Sequence, residues 1–205
     1  FVPKEYRPIP FWSWNEKLET EETREQIRQM DEAGIGGFFM HARGGLQTEY
    51  MGEEWFENVS VSIDEAEKLG MGAWAYDENG WPSGFAGGEL LKDKENLARY
   101  LTYGVGVYDE TAFVSYALDG DELTVTEQGE SCINGYLHLS VSNTDILNPD
   151  VVDKFIEATH EKYKKEVLDR GYKLKGFFTD EPQYYRGATP YTPVIEEYFL
   201  KKYGE

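Results

Sequence analysis

Two pairs of adjacent carboxylates stand out as groups able to do chemistry. Asp77-Glu78 follows the run Gly72-Ala73-Trp74-Ala75-Tyr76, and Asp180-Glu181 follows Lys175-Gly176-Phe177-Phe178-Thr179. Each run is strand-like and rich in aromatic residues. Pro182 ends the second run, because proline has no N–H to give to a ladder. Acid at the carboxyl end of a buried parallel strand is how α/β barrels present catalytic groups. Asp is also common in turns, so capping of the next turn is the plain structural alternative. Two carboxylates flanking a bond are what glycoside hydrolysis requires: one protonates the leaving oxygen, the other activates water or attacks. Glu78 and Glu181 are the candidates for that pair.

Other polar groups fall at equivalent places. The first strand-like run ends in Trp14-Asn15-Glu16, and the second in His41-Ala42-Arg43. The third run leads into Asn79-Gly80-Trp81-Pro82-Ser83-Gly84. Sites of α/β barrels form where such strand ends converge. Trp14, Asn15, His41, Arg43, Asp77, Trp81 and Asp180 are therefore candidate substrate contacts, with Trp14, Tyr76 and Trp81 as walls. Arg43 and His41 would orient hydroxyls or tune the carboxylates. His138 and His160 read as structural. Ser83 lies in Pro-Ser-Gly, which lacks the nucleophile-elbow pattern of serine hydrolases. Gly84, Gly87 and Gly88 do not follow phosphate-loop spacing and read as a flexible loop.

The elements that must position these groups follow a repeating order of helix, glycine and apolar strand. Residues 8–15 read as the first strand. Thr20 reads as a helix N-cap with Glu21 and Glu22 in the first turn, and Gly34 as its stop. A strand over 35–42 follows. The helix predicted over 53–69 carries Phe56, Val59, Ile63 and Ala66 on one face and ends at Gly70. Asn148 caps the next helix, with Pro149 at its first position. Val152, Ile156, Thr159, Tyr163 and Val167 are its expected buried face, and Gly171 its end. That repetition predicts βα units on a parallel sheet. With right-handed crossovers, four such units curve into part of a barrel; an open doubly wound sheet is the alternative, without the glycine-rich phosphate loop that usually follows its first strand.

Between Thr102 and Val141 the pattern changes to loosely alternating β-branched and aromatic residues. Asp119-Gly120 between two such runs is a strong hairpin signal. The expectation is a small antiparallel insertion, a lid or spacer, entered from a helix ending near Tyr100. The predicted fold class is thus α/β, the amino-terminal half of a (β/α)8 TIM-type barrel with a small antiparallel β insertion. The expected divisions are 1–101 for barrel units one to three, 102–147 for the insertion, and 148–205 for the fourth unit and a following helix.

Composition narrows the partners. The 205 residues carry 39 Asp and Glu against 20 Lys and Arg, a formal charge of −19. Such a surface repels phosphate backbones, so nucleic acid and anionic membrane are not expected as partners. No run reaches the roughly 18 apolar residues of a membrane span. The single cysteine, Cys132, excludes an intrachain disulfide. Fifteen Tyr and five Trp suit a carbohydrate substrate, whose apolar faces stack on flat rings. A full barrel takes about 250 residues. The chain therefore reads as a piece of a larger protein, its outer strand edges covered by the rest of the barrel or by a second chain.

The segments Phe11-Trp12-Ser13-Trp14-Asn15, Gly34-Ile35-Gly36-Gly37-Phe38, His41-Ala42-Arg43, Glu54-Trp55-Phe56, Tyr76-Asp77-Glu78, Trp81-Pro82-Ser83-Gly84 and Phe177-Phe178-Thr179-Asp180-Glu181-Pro182 carry a resemblance. In this order they are similar to the catalytic barrel of bacterial α-L-rhamnosidases of glycoside hydrolase family 106 and related uncharacterised glycosidases. The resemblance implies a large multi-domain enzyme acting with inversion, with Glu78 and Glu181 as acidic site residues. It also implies Ca2+ as a possible cofactor. The roles of acid, base and ligand do not transfer individually. A carbohydrate-binding barrel without turnover and a metal-assisted sugar isomerase are the alternative readings.

Overall fold

The structure is a computed structural model that describes residues 2–183 and 188–204; positions 184–187 of the expected fourth unit lie outside the described residues. The first half of the chain runs β1 (Phe11–Trp14), α1 (Thr20–Glu32), β2 (Gly37–Ala42), α2 (Glu53–Leu69) and β3 (Gly72–Asn79). Four further strands follow: β4 (Leu97–Gly106), β5 (Val114–Asp119), β6 (Glu122–Val125) and β7 (Cys132–Thr144). The remainder is α3 (Pro149–Ala158), α4 (His160–Tyr163), β8 (Phe177–Phe178), β9 (Thr189–Tyr191) and α5 (Ile195–Tyr203). These form two compact units, one of residues 1–90 and 153–182, the other of residues 91–152 and 183–205.

The first unit is built on a four-stranded sheet in the order β1-β2-β3-β8, parallel throughout. Its strands alternate between two faces, as the period of two requires. Trp14, Phe38, Met40, Ala42, Ala73 and Ala75 pack with Ile27 of α1 and with Trp55, Val59, Ile63 and Ala66 of α2 in one buried core. Phe11, Phe39, His41, Tyr76 and Phe178 point to the opposite face and meet edge-on or stacked. Gly37 and Gly72 let β2, β3 and the Trp74 ring approach closely. A Cβ on Gly72 would lie 2.3 Å from that ring, and one on Gly37 would lie 2.5 Å from the Gly72 carbonyl oxygen.

Helix α2 has the predicted bounds and ends at Gly70 in the left-handed region, φ +68°. Thr20 proves to be the first helical residue of α1, not its cap; Glu19 holds the cap position without a side-chain bond. The third helical segment departs further from expectation. Asn148 does cap it, accepting from the Asp150 N–H at 3.1 Å. Its buried face, however, is Val151, Phe155, Thr159, Tyr163 and Val167, while Ile156 is exposed. Thr159 breaks the helix with φ −120° and ψ −75°, and residues 164–168 form a π turn. The buried positions thus recur every four residues; Thr159, Tyr163 and Val167 are as expected, while Val151 and Phe155 replace Val152 and Ile156.

The last parallel strand is also shorter than its sequence suggests. Only Phe177 and Phe178 pair fully with Ala75 and Tyr76, helped by Lys175 N–H to Ala73 and Ala75 N–H to Gly176.

The second unit is an antiparallel sheet in the order β6-β5-β7-β4-β9. The hairpin turn falls at Gly120, φ +64°, between the paired residues Asp119 and Glu122. No helix ends at Tyr100; it lies inside β4, preceded by two single 3-10 turns at Leu90–Lys92 and Lys94–Asn96. Residues 189–191 pair with β4, so part of the stretch expected to follow the fourth barrel unit belongs to this sheet. The chain is therefore mixed α/β, with one parallel and one antiparallel sheet.

Candidate functional site

Parallel strands carry their loops at their carboxyl ends, and in the first unit these ends gather around one cleft of about 430 Å3. Phe11 and Ser13 from β1, His41 and Arg43 from the end of β2, Trp81 from the loop after β3, and Asp180 beyond β8 line it. Its volume falls in the range of small-molecule sites. Trp81 is half exposed, its indole available as a platform.

Tyr76 organises the floor. Its ring stacks on His41 with centroids 3.5 Å apart and planes 17° from parallel. Its hydroxyl donates to Asp180 Oδ2 at 2.8 Å. Burial, reinforced by this bond, pushes the phenol above its ordinary pKa. His41 is buried, and Nε2 lies 3.4 Å from the Gly80 carbonyl. Burial holds its pKa below the usual histidine value, and the Arg43 charge adds to this; the Gly80 carbonyl and Asp180 oppose it. Arg43 is exposed at the rim and makes no ion pair among the described residues.

The two acids at the end of β3 are fully buried and line no part of the cleft. Asp77 accepts from Ser83 Oγ at 2.6 Å and Thr179 Oγ1 at 2.5 Å, with His160 Nε2 3.6 Å away. Ser83 also binds the segment beyond β8, accepting from Asp180 N–H and donating its own N–H to the Asp180 carbonyl, both at 2.9 Å. Glu78 accepts five backbone N–H groups. Those of Gly84, Phe85 and Ala86 reach Oε2 at 3.1, 2.9 and 2.8 Å; those of Asn79, at 2.9 Å, and Gly87 reach Oε1. Burial raises its pKa, opposed by the N–H groups of Gly87, Asn79, Phe85 and Ala86.

Of the predicted site residues, His41, Arg43, Trp81 and Asp180 come together in the cleft. Trp14 does not: it lies in the core, edge-on to Trp12 and Trp55, because odd and even residues of β1 face opposite ways. Asn15 is exposed on the loop after β1 and lines no part of the cleft. Asp77 and Glu78 are fully buried and do not line it. Glu181 is exposed beside Asp180 with φ +43°, an unusual backbone for a residue with a side chain. The glycine-rich stretch 84–88, expected to be flexible, is tied to Glu78.

Phe11, Ser13, Ser83, Thr179 and His160 are additions. The alternation in Phe11-Trp12-Ser13-Trp14 was the available signal for the first two.

Ca2+ binds through six to eight oxygen ligands. The nearby carboxylates do not fit it: Glu78 faces five N–H groups, Asp77 two hydroxyls, and Asp180 Oδ2 a phenol. Among the described residues no three His, Cys, Asp or Glu side chains are grouped to hold a metal. No described helix is long and apolar enough to cross a membrane.

No protein-family model matches the chain, and no curated protein matches it. Among solved structures it is similar to a rhamnosidase from Novosphingobium sp. PP1Y, with 21% identity and a TM-score of 0.41. That match covers 57% of this chain and 11% of the rhamnosidase, so the chain spans about a tenth of that structure's length.

Proposed function

We propose that this chain is part of the catalytic domain of a glycoside hydrolase, its four parallel strands being half of an eight-stranded barrel. The observation that carries this reading is the cleft at the strand ends, where the half-exposed Trp81 shares a wall with Asp180, Arg43 and Ser13. An aromatic platform beside a carboxylate, a guanidinium and a hydroxyl matches a sugar ring, apolar on its face and polar on its edge. Asp180 is the carboxylate within the cleft, oriented by Tyr76. Glu181 is the second candidate, and its left-handed backbone is the kind of local strain that clusters at working sites. The sequence resemblance makes α-L-rhamnosides with inversion the first substrate and stereochemistry to test. The intact protein, assayed against a panel of 4-nitrophenyl glycosides, is expected to release nitrophenol from one of them; release from none overturns the reading.

One observation favours a second reading, a carbohydrate-binding protein without turnover. Asp180 Oδ2 is occupied by Tyr76, and Glu78 is enclosed by backbone N–H groups. Saturable binding of a glycoside without release separates this reading from the first.

A further inference from the structure

Glu78 has the residue type and strand-tip place of a catalytic acid or base, yet its surroundings serve a different end. An acid/base catalyst needs an oxygen within hydrogen-bond reach of substrate. Both Glu78 oxygens are instead engaged by the N–H groups of residues 79, 84, 85, 86 and 87, and the side chain is fully buried. All five contacts are donors, the set that an ionised carboxylate accepts and that leaves an acid proton no acceptor. Successive backbone N–H groups turned inward make an anion-binding nest, and here the anion is the chain's own side chain.

What the nest holds is the loop that presents Trp81 to the cleft. Ala86, Gly87 and Gly88 have φ of +52°, +66° and +93°, so this stretch curls around the carboxylate in a conformation that few residues adopt unaided. A Cβ on Gly87 would lie 2.9 Å from the Tyr50 ring, so the loop is also pressed against the interior. Within the same loop, Ser83 bridges Asp77 and the Asp180 backbone. Carboxylate, nest and Ser83 thus fix both ends of the segment carrying Trp81.

We infer that Glu78 is a positioning residue: its buried carboxylate holds loop 79–88 so that Trp81 and Ser83 stand in register with Asp180. The inference rests on the reading of the cleft as a sugar site, since Trp81 is taken as the platform. Its test is chosen to stand apart from that reading.

Hydrogen exchange on the intact protein reads the nest directly. In the unaltered protein the amides of Gly84, Phe85, Ala86 and Gly87 are expected to be protected although they belong to no helix or strand. Exchange at unprotected rates overturns the inference without any variant. In Glu78→Gln, whose amide brings donors against donors, these amides are expected to exchange about tenfold faster or more. Acrylamide quenching of Trp81, taken as the difference from Trp81→Phe, is expected to rise with it. On a cleaved aryl glycoside, KM rises while kcat is largely kept. Glu78→Asp keeps the charge but is one methylene shorter, and is expected to restore part of the protection. Loss of kcat with exchange and quenching unchanged would make Glu78 a catalyst and overturn the inference. If no glycoside is cleaved, the hydrolase reading fails, while exchange and quenching still decide the role of Glu78.

Discussion

The imidazole of His41 lies flat on the ring of Tyr76, 3.5 Å between centroids, and Tyr76 passes that placement on to Asp180 through its hydroxyl. Two strands, β2 and β3, are thereby tied at the floor of the cleft to the acid beyond β8.

This stack has a pH signature. His41 is held below its ordinary pKa by burial, so below about pH 6.5 the unfolded chain binds a proton that the folded one resists. His41 therefore costs no stability above that pH, and its penalty grows as pH falls toward the folded pKa. Comparing Tm at pH 7.5 and 5.0 for the intact protein and His41→Gln is expected to show a smaller drop in the variant. An equal drop in both would contradict the burial argument.

Tyr76→Phe removes the hydroxyl but keeps the ring stack. A hydrogen bond to a charged acceptor contributes about 1.5–3 kcal/mol, so on the proposed hydrolase reading the variant is expected to lose roughly ten- to hundredfold in kcat/KM on a cleaved aryl glycoside. Far-UV circular dichroism should be unchanged. An unaltered kcat/KM would mean that Asp180 needs no orientation by Tyr76.

Gly72→Ala tests the close approach of strand and indole. A Cβ there meets Trp74 at 2.3 Å, a separation that requires the ring to move. Overpacking of this kind costs about 1–3 kcal/mol, read as a lower urea midpoint at constant slope. An unchanged midpoint would show that the ring shifts without cost.

How far the sequence disclosed this arrangement depends on how local each signal is. Helix α2 was legible to the residue, because a clean apolar face and a glycine stop act within a few turns. The face of the third helical segment was legible in part: Thr159, Tyr163 and Val167 are buried as expected, but Val151 and Phe155 take the places expected for Val152 and Ile156. Trp14 illustrates the limit at the site: tip position was visible, but which face of β1 the indole took depended on strand register. For Glu78, the carboxylate was visible and its five donors were not, because a nest depends on loop dihedrals that no short motif encodes.

Trp81 carries the most direct prediction about the substrate. It is 48% exposed, contributes little to the core and lines the cleft opposite no ring partner among the described residues. Trp81→Ala should therefore change stability by no more than about 0.5 kcal/mol, as for a surface substitution. If the indole stacks on a sugar face in both ground and transition states, its removal takes away uniform binding. KM should rise roughly tenfold with kcat nearly unchanged, and Trp81→Phe should fall between the two. Initial-rate kinetics on the cleaved aryl glycoside, with a parallel thermal melt, measure both quantities. A falling kcat at constant KM would instead place Trp81 in contact with the reacting centre. A KM that stays put would remove it from the binding surface altogether.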